Sequence, residues 1–237
     1  ADLQLLSAVG AQVAIALERA RLYDVTHAQR LRLERELKLA REIQDSLLPD
    51  TLPQIPGFSL AADWRSALEM AGDFYDIFPL PDGRWGIVVA DVSDKGAAAA
   101  MYMAMTRSLI RASASNYSNP AGALNEVNQR LLAHSTSDMF VTVFYAVLDA
   151  ETQTLTYANA GQNPPLLRRI SGGIEKLTRT GAALGVFEGF TFSDVSLILA
   201  PGDSLVIYTD GVTDALNPQG EEYGTTRLAK ALLNAPP

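Results

Sequence analysis

The 237-residue chain has no cysteine and only two histidines, His27 and His134. The first absence excludes disulfides, thiolate zinc sites, iron–sulfur clusters and a cysteine nucleophile. The second leaves no His-rich metal site and no His-dependent triad with a residue to spare. A bound metal would therefore be held mainly by oxygen, the donor type that suits Mg²⁺, Mn²⁺ or Ca²⁺. Basic charge is also in short supply: 19 Lys and Arg face 27 Asp and Glu, for a formal net charge of −8. Nucleic-acid binding needs a basic face to release counterions, so that class of function is not expected. Long apolar runs are missing as well. The richest stretch, "GAAAAMYMAMTRSLIRA", is interrupted by Arg107 and Arg111 and reads as a buried helix rather than a membrane span. No signal-peptide pattern is visible, and a cysteine-free composition fits the cytoplasm. Trp64 and Trp85 are the two tryptophans, a poor supply for the aromatic-lined cleft of a glycosidase. G-x-S-x-G, P-loop and G-x-G-x-x-G motifs are all absent.

Residues 2 to about 48 contain no proline and one glycine. Leu6, Val9, Val13, Leu17 and Ala20 recur at helical steps, and Leu33, Leu37, Ala40, Gln44 and Leu47 step 4-3-4-3 like a coiled-coil seam. The two frames do not join cleanly through "YDVTHAQR", which predicts a stutter or break there. The arm, 1–48, either packs on its own domain or dimerises through the seam. "LLPDTLPQIPG" ends the helix with three prolines and a glycine and marks a boundary, so a second domain is expected over 49–237.

Beyond 58 the texture changes to short strands with turn signals. "FSLAADW" alternates, and "FYDIFPL" and "WGIVVADV" flank a hairpin turn at Asp82-Gly83. Helices are expected over 96–114 and from Pro120 to Ala133. Further turns fall at Glu151–Gln153, Gly172-Gly173 and Pro201–Asp203. Strands, a helix pair and more strands describe an α+β domain, two antiparallel sheets with helices outside.

Carboxylates sit at strand ends in three places: Asp73 and Asp76 in "AGDFYD", Asp91 and Asp94 in "VVADVSDKG", and Asp210 and Asp214 in "VIYTDGVTDA". An apolar strand fixes its backbone, so an Asp at its end is aimed. Two such strands side by side would bring Asp91 and Asp210 together, a repulsive arrangement that raises at least one pKa unless a divalent cation relieves it. Turn chemistry is the alternative for any one Asp-Gly, and is the reading adopted for Asp82-Gly83 and Gly202-Asp203.

The stretches "AGDFYDIFPLPDGRWGIVVADVSDKG", "FVTVFYAVLDAETQTLTYANAGQNPPLL", "GAALGV" and "LAPGDSLVIYTDGVTDALNPQGEEYG" together resemble the bacterial SpoIIE/RsbU-type serine/threonine phosphatases. This is a branch of the metal-dependent, type-2C-like (PPM) protein phosphatases. The resemblance covers about 58 to 233. "LLSAVGAQVAIALERARLYD" resembles the last helix of a GAF sensor domain followed by a signalling linker. The resemblance implies an antiparallel β-sandwich flanked by helices, with two Mn²⁺ or Mg²⁺ ions at one end. It places Asp91 at the bridging ligand, the Val92 carbonyl as a backbone ligand, Asp210 on the second ion and Asp73 in the "GD" motif. Arg65, in "DWRSALE", is a candidate phosphate contact or a solvated strand-end residue.

Three departures accompany the resemblance. Asp94 stands where the relatives carry the first glycine of "DVSGKG", adding charge beside the metals or decorating the turn. Gln162 replaces the His of "ANAGH". The closing D-D-x-T strand with its metal aspartate is not in the sequence, so the domain is expected to be C-terminally truncated. The implied activity is hydrolysis of phosphoserine or phosphothreonine on a regulatory partner, a phospho-STAS anti-anti-sigma factor, by a cytoplasmic homodimer. The alternative is a catalytically weak, phosphatase-like docking module.

Overall fold

The computed structural model describes residues 2–66, 70–134 and 138–235. The side chains of Leu6, Val9, Val13 and His134 lie outside the described set. The chain divides into two units, 1–43 and 44–237.

The first unit lies within helix α1, Asp2–Asp45. The break expected at "YDVTHAQR" does not occur. No proline or glycine interrupts that stretch, and Thr26 turns its hydroxyl back onto the carbonyls of Leu22 and Tyr23, both at 2.9 Å. Tyr23 stacks on His27 one turn along. Arg30–Glu34 and Arg32–Glu36 add ion pairs at the i,i+4 spacing. Leu17, Tyr23, Leu33, Leu39 and Ile43 are exposed.

In the second unit the hairpin signals fold as expected. Strands β1 (Phe74–Pro79), β2 (Trp85–Val92), β3 (Val141–Asp149), β4 (Thr154–Ala160) and β7 (Val195–Ile198) form an antiparallel sheet in the order β1-β2-β3-β4-β7. A smaller sheet has the order β6-β5-β8, from Ile174–Lys176, Leu166–Arg168 and Ser204–Val206. Strand β3 is central, with Val143 to Leu148 all buried, as its unbroken apolar run requires.

Alternation along the strands then sorts the two faces of the large sheet. Val88, Ala90, Val92, Val143 and Tyr145 pack under helices α2 (Ala97–Ala114) and α3 (Pro120–His134), against Met103, Ile110, Leu124 and Leu131. Ile77, Ile87, Phe144, Ala146, Leu155 and Tyr157 face Leu167 and Leu205 of the second sheet and Ile207 just beyond it. Short helix α4 (Asp210–Thr213) follows β8, and α5 (Gly224–Asn234) covers Leu166 and Tyr208 with Leu228 and Leu232. The α+β sandwich is as the sequence indicates.

Two details differ. "FSLAADW" forms no strand among the described residues; one bridge joins Ile55 and Phe58. Its alternation serves packing instead, since Phe58 and Leu60 insert into the inter-sheet core. Pro201–Asp203 does not close a hairpin but turns a corner from β7 in one sheet to β8 in the other. Asp203 pins that corner, accepting from the backbone N–H groups of Ala200 (3.0 Å) and Ile170 (2.8 Å) and from Arg169 (2.8 Å).

Candidate metal centre

The β1–β2 hairpin pairs Phe74 with Ala90, so the next residues along, Asp73 and Asp91, stand opposite each other. Both follow the alternation of Ile77, Ile87 and Val89 and so face the space between the sheets. Burial, then the neighbouring Asp73 carboxyl, then the charge of Asp210 push the Asp91 carboxyl up to about 8. Asp210 arrives from the facing sheet, at the start of α4. Its own carboxyl is raised by burial and then by the charges of Asp73 and Asp214. Lys95, in the turn after β2, is a cation that opposes these shifts at both Asp91 and Asp210.

The expected meeting of Asp91 and Asp210 on adjacent strands therefore takes a different form. Strands β2 and β8 belong to different sheets, and Asp73 is the cross-strand neighbour of Asp91. The register of a hairpin turning at Asp82-Gly83 carried that information in the sequence. Asp76, grouped with Asp73 at the sequence level, points the other way, because three positions along a strand reverse the face. It is 1% exposed and paired with Arg107 (3.0 Å) and Arg111 (2.6 Å) of α2.

The remaining expected residues are placed as follows. Val92 buries its side chain under α2, and its carbonyl lies against Gly72, where a Cβ would come within 2.8 Å. Asp94 is exposed, with φ 77°, and its Oδ1 accepts from the Lys95 N–H at 2.8 Å, a turn role. Gln162 is buried; its Oε1 accepts from Thr142 Oγ1 at 3.1 Å and from the Asn163 N–H at 2.8 Å, and Thr142 is the β3 neighbour of Asp91. Arg65 is exposed and pairs with Asp63 at 3.2 Å. Thr209 was not singled out from the sequence, yet its Oγ1 donates to Asp73 Oδ2 at 2.6 Å. Its position beside Asp210 in "YTDG" was the available signal. Lys95 was missed as well, although it stands only four residues after Asp91.

Among the described residues, no three acidic or imidazole groups close into a ready-made cage. The donor set nevertheless fits a hard divalent cation. Asp73 and Asp91 stand opposite each other, and Asp210 lies near enough for its charge to act on Asp91. Burial with that charge pushes the Asp91 carboxyl far above its usual range, an arrangement a divalent cation would relieve. A cavity of about 710 Å³ has Asp73 and Thr209 among its walls, but Leu60, Ile77, Ile87, Leu205 and Ile207 also line it. Among the described residues no helix is long and apolar enough to cross a membrane.

Comparison with known proteins shows the family. The family described as Stage II sporulation protein E (SpoIIE) matches residues 81–237. Protein IcfG of Synechocystis sp. (strain ATCC 27184 / PCC 6803 / Kazusa) is 34% identical, over 83% of this chain and 35% of that protein. Phosphoserine phosphatase RsbU of Bacillus subtilis (strain 168) is 28% identical, over 79% of this chain and 56% of RsbU. The chain thus spans about a third to just over half of the length of these relatives. The SiaA-PP2C domain of Pseudomonas aeruginosa superposes with a TM-score of 0.74 at 23% identity, covering 87% of this chain and 84% of that one, a likeness of fold.

Proposed function

The chain belongs to the SpoIIE family of PP2C-like phosphatase domains, and from that premise we propose that it is a metal-dependent protein serine/threonine phosphatase. The observation that carries this reading is the cross-strand placement of Asp73 opposite Asp91, with Asp210 near enough for its charge to act on Asp91. Their carboxylates, with the Val92 carbonyl, would hold two divalent cations, Mn²⁺ or Mg²⁺. Bound there, the cations supply Lewis acidity toward water and toward phosphoryl oxygens.

The chain's own groups have separate tasks. Asp91, more buried than Asp210 and set opposite Asp73, would be a ligand shared by both cations. Thr209, at the start of α4, holds Asp73 in place. Lys95 sets a positive charge beside both Asp91 and Asp210, which suits the approach of a phosphoryl dianion to an acidic protein. Arg65, solvated and paired to Asp63, contributes little to that approach.

The substrate in this reading is a phosphoserine or phosphothreonine on a regulatory protein of the STAS anti-anti-sigma type, acted on in the cytoplasm. Relatives named phosphoserine phosphatases support the phosphoserine part of this reading. The arm, with Leu17, Leu33, Leu39 and Ile43 exposed along one continuous helix, is the surface through which a homodimer would form. Phosphate release from p-nitrophenyl phosphate and from a phosphoserine protein, with Mn²⁺ and with Asp91→Asn as reference, tests the activity. A wild-type rate no higher than that of Asp91→Asn sinks it and leaves a phosphatase-like docking module. Sedimentation with and without residues 1–48 tests the dimer; equal monomer masses remove it.

A further inference from the structure

Gln44 is 3% exposed, although it falls on the expected coiled-coil seam and sits on the last turn of α1. Its amide makes two bonds to one peptide unit: Nε2 donates to the Ala71 carbonyl at 2.6 Å, and Oε1 accepts from the Ala71 N–H at 3.2 Å. A primary amide is the side chain that can both donate to and accept from a single residue's backbone in this way. Two residues further on is Asp73.

The intervening Gly72 leaves that segment no slack. A Cβ there would come within 2.8 Å of the Val92 carbonyl oxygen and 3.1 Å of Val92 Cβ. The backbone at 71–72 is therefore held between Gln44 on one side and the end of β2 on the other. Trp64 Nε1 adds a bond to the Asp73 carbonyl at 3.1 Å. These contacts fix where β1 enters its ladder with β2, and so set Asp73 opposite Asp91.

We propose that Gln44 is a positioning residue for the metal centre: its clamp on Ala71 fixes the Asp73 carboxylate against Asp91. The inference rests on the phosphatase reading for its consequence in catalysis, but the positioning itself is a property of the metal-free chain. Gln44 touches none of the three carboxylates, so its effect must run through the backbone at 71–73. Groups that hold a metal-binding side chain in place typically change metal affinity 10- to 100-fold when removed.

The test uses the full chain and Gln44→Met, which keeps the length and helix propensity of the side chain but neither hydrogen bond. Gln44→Glu, which keeps the acceptor for the Ala71 N–H, serves if the first variant does not fold. In metal-free buffer, Asp73→Asn relieves repulsion and should raise the melting temperature. That rise should shrink to less than about half in the Gln44→Met background, because coupled sites are non-additive. Amide exchange over 70–75 should quicken in the same variant. With metal, the Mn²⁺ concentration at half-saturation, read by calorimetry and by rate, should rise about tenfold while the saturated rate stays within about threefold. Additive melting shifts overturn the proposal whatever the rates do, and so does an unchanged Mn²⁺ requirement beside a non-additive cycle. A wild type that binds Mn²⁺ but releases no phosphate removes the phosphatase reading and leaves Gln44 to be decided by the cycle and by calorimetry.

Discussion

Thr209 Oγ1 donates a 2.6 Å hydrogen bond to Asp73 Oδ2, joining residues 136 positions apart in sequence and tying the lead-in to α4 to the lead-in to β1. The bond spans the two sheets at the end where the carboxylates meet. Thr209→Val keeps the shape and removes the donor. It should cost about 1 kcal/mol of stability and raise the Mn²⁺ requirement for phosphate release about tenfold. Thr209→Ser should restore most of both. A Val variant with an unaltered Mn²⁺ requirement would show that Asp73 needs no such support.

The Asp91 carboxyl makes the metal-free protein pH-sensitive in a definite direction. Its folded value, about 8, lies above the ordinary 3.8. Between those values the folded state holds a proton that the unfolded chain has lost, so stability falls as pH rises through that window. In chelator, the melting temperature should therefore drop from pH 5 to pH 8 by more in the wild type than in Asp91→Asn. At pH 8 the variant should be the more stable by about 1 kcal/mol, since the group is part-exposed and solvent screens it. Saturating Mn²⁺ should reverse that order. A wild type and an Asp91→Asn variant with parallel pH profiles would refute the coupling of Asp91 to Asp73 and Asp210.

Much of this was legible in the sequence because period-2 alternation and Gly- or Pro-bearing turns report local structure directly. The hairpin around Asp82-Gly83, the unbroken run of β3 and the Pro120 helix start all behave this way. What the sequence concealed was which strand lies beside which. Nothing local in "PGD" says that β8 leaves the sheet of β7, so Asp210 was expected beside Asp91 when it comes from across the sandwich. Gln44 was hidden for the opposite reason. Its heptad position described a helix seam, while its buried amide is spent on Ala71.

Asp76 offers a contrast to Asp73 only three residues away. Its carboxylate accepts from Arg111 Nε (2.6 Å) and Nη2 (2.7 Å) and pairs with Arg107 (3.0 Å), linking β1 to α2 on the face away from the metal centre. Arg111 also lies over the Phe78 ring, 4.9 Å from its centroid. Asp76→Ala strands two arginines over an apolar layer and should cost about 3 kcal/mol in urea unfolding. At a temperature where the variant is folded, its Mn²⁺ requirement should match the wild type. A raised Mn²⁺ requirement would mean that the two faces of β1 are not independent.

Asp94 is the last acid to account for. Its backbone sits at φ 77°, a left-handed conformation that glycine adopts freely and an L-residue only at a cost. The side chain offsets part of that cost by accepting from the Lys95 N–H, which is why Asp is tolerated here. Turn chemistry thus explains both the glycine expected at this position and its replacement. Asp94→Gly should raise stability by up to about 0.5 kcal/mol, and Asp94→Val should lower it by about 1–2 kcal/mol. Neither should change the number of Mn²⁺ ions bound. If Asp94→Gly instead weakened Mn²⁺ binding tenfold, the carboxylate would belong to the metal centre and not to the turn.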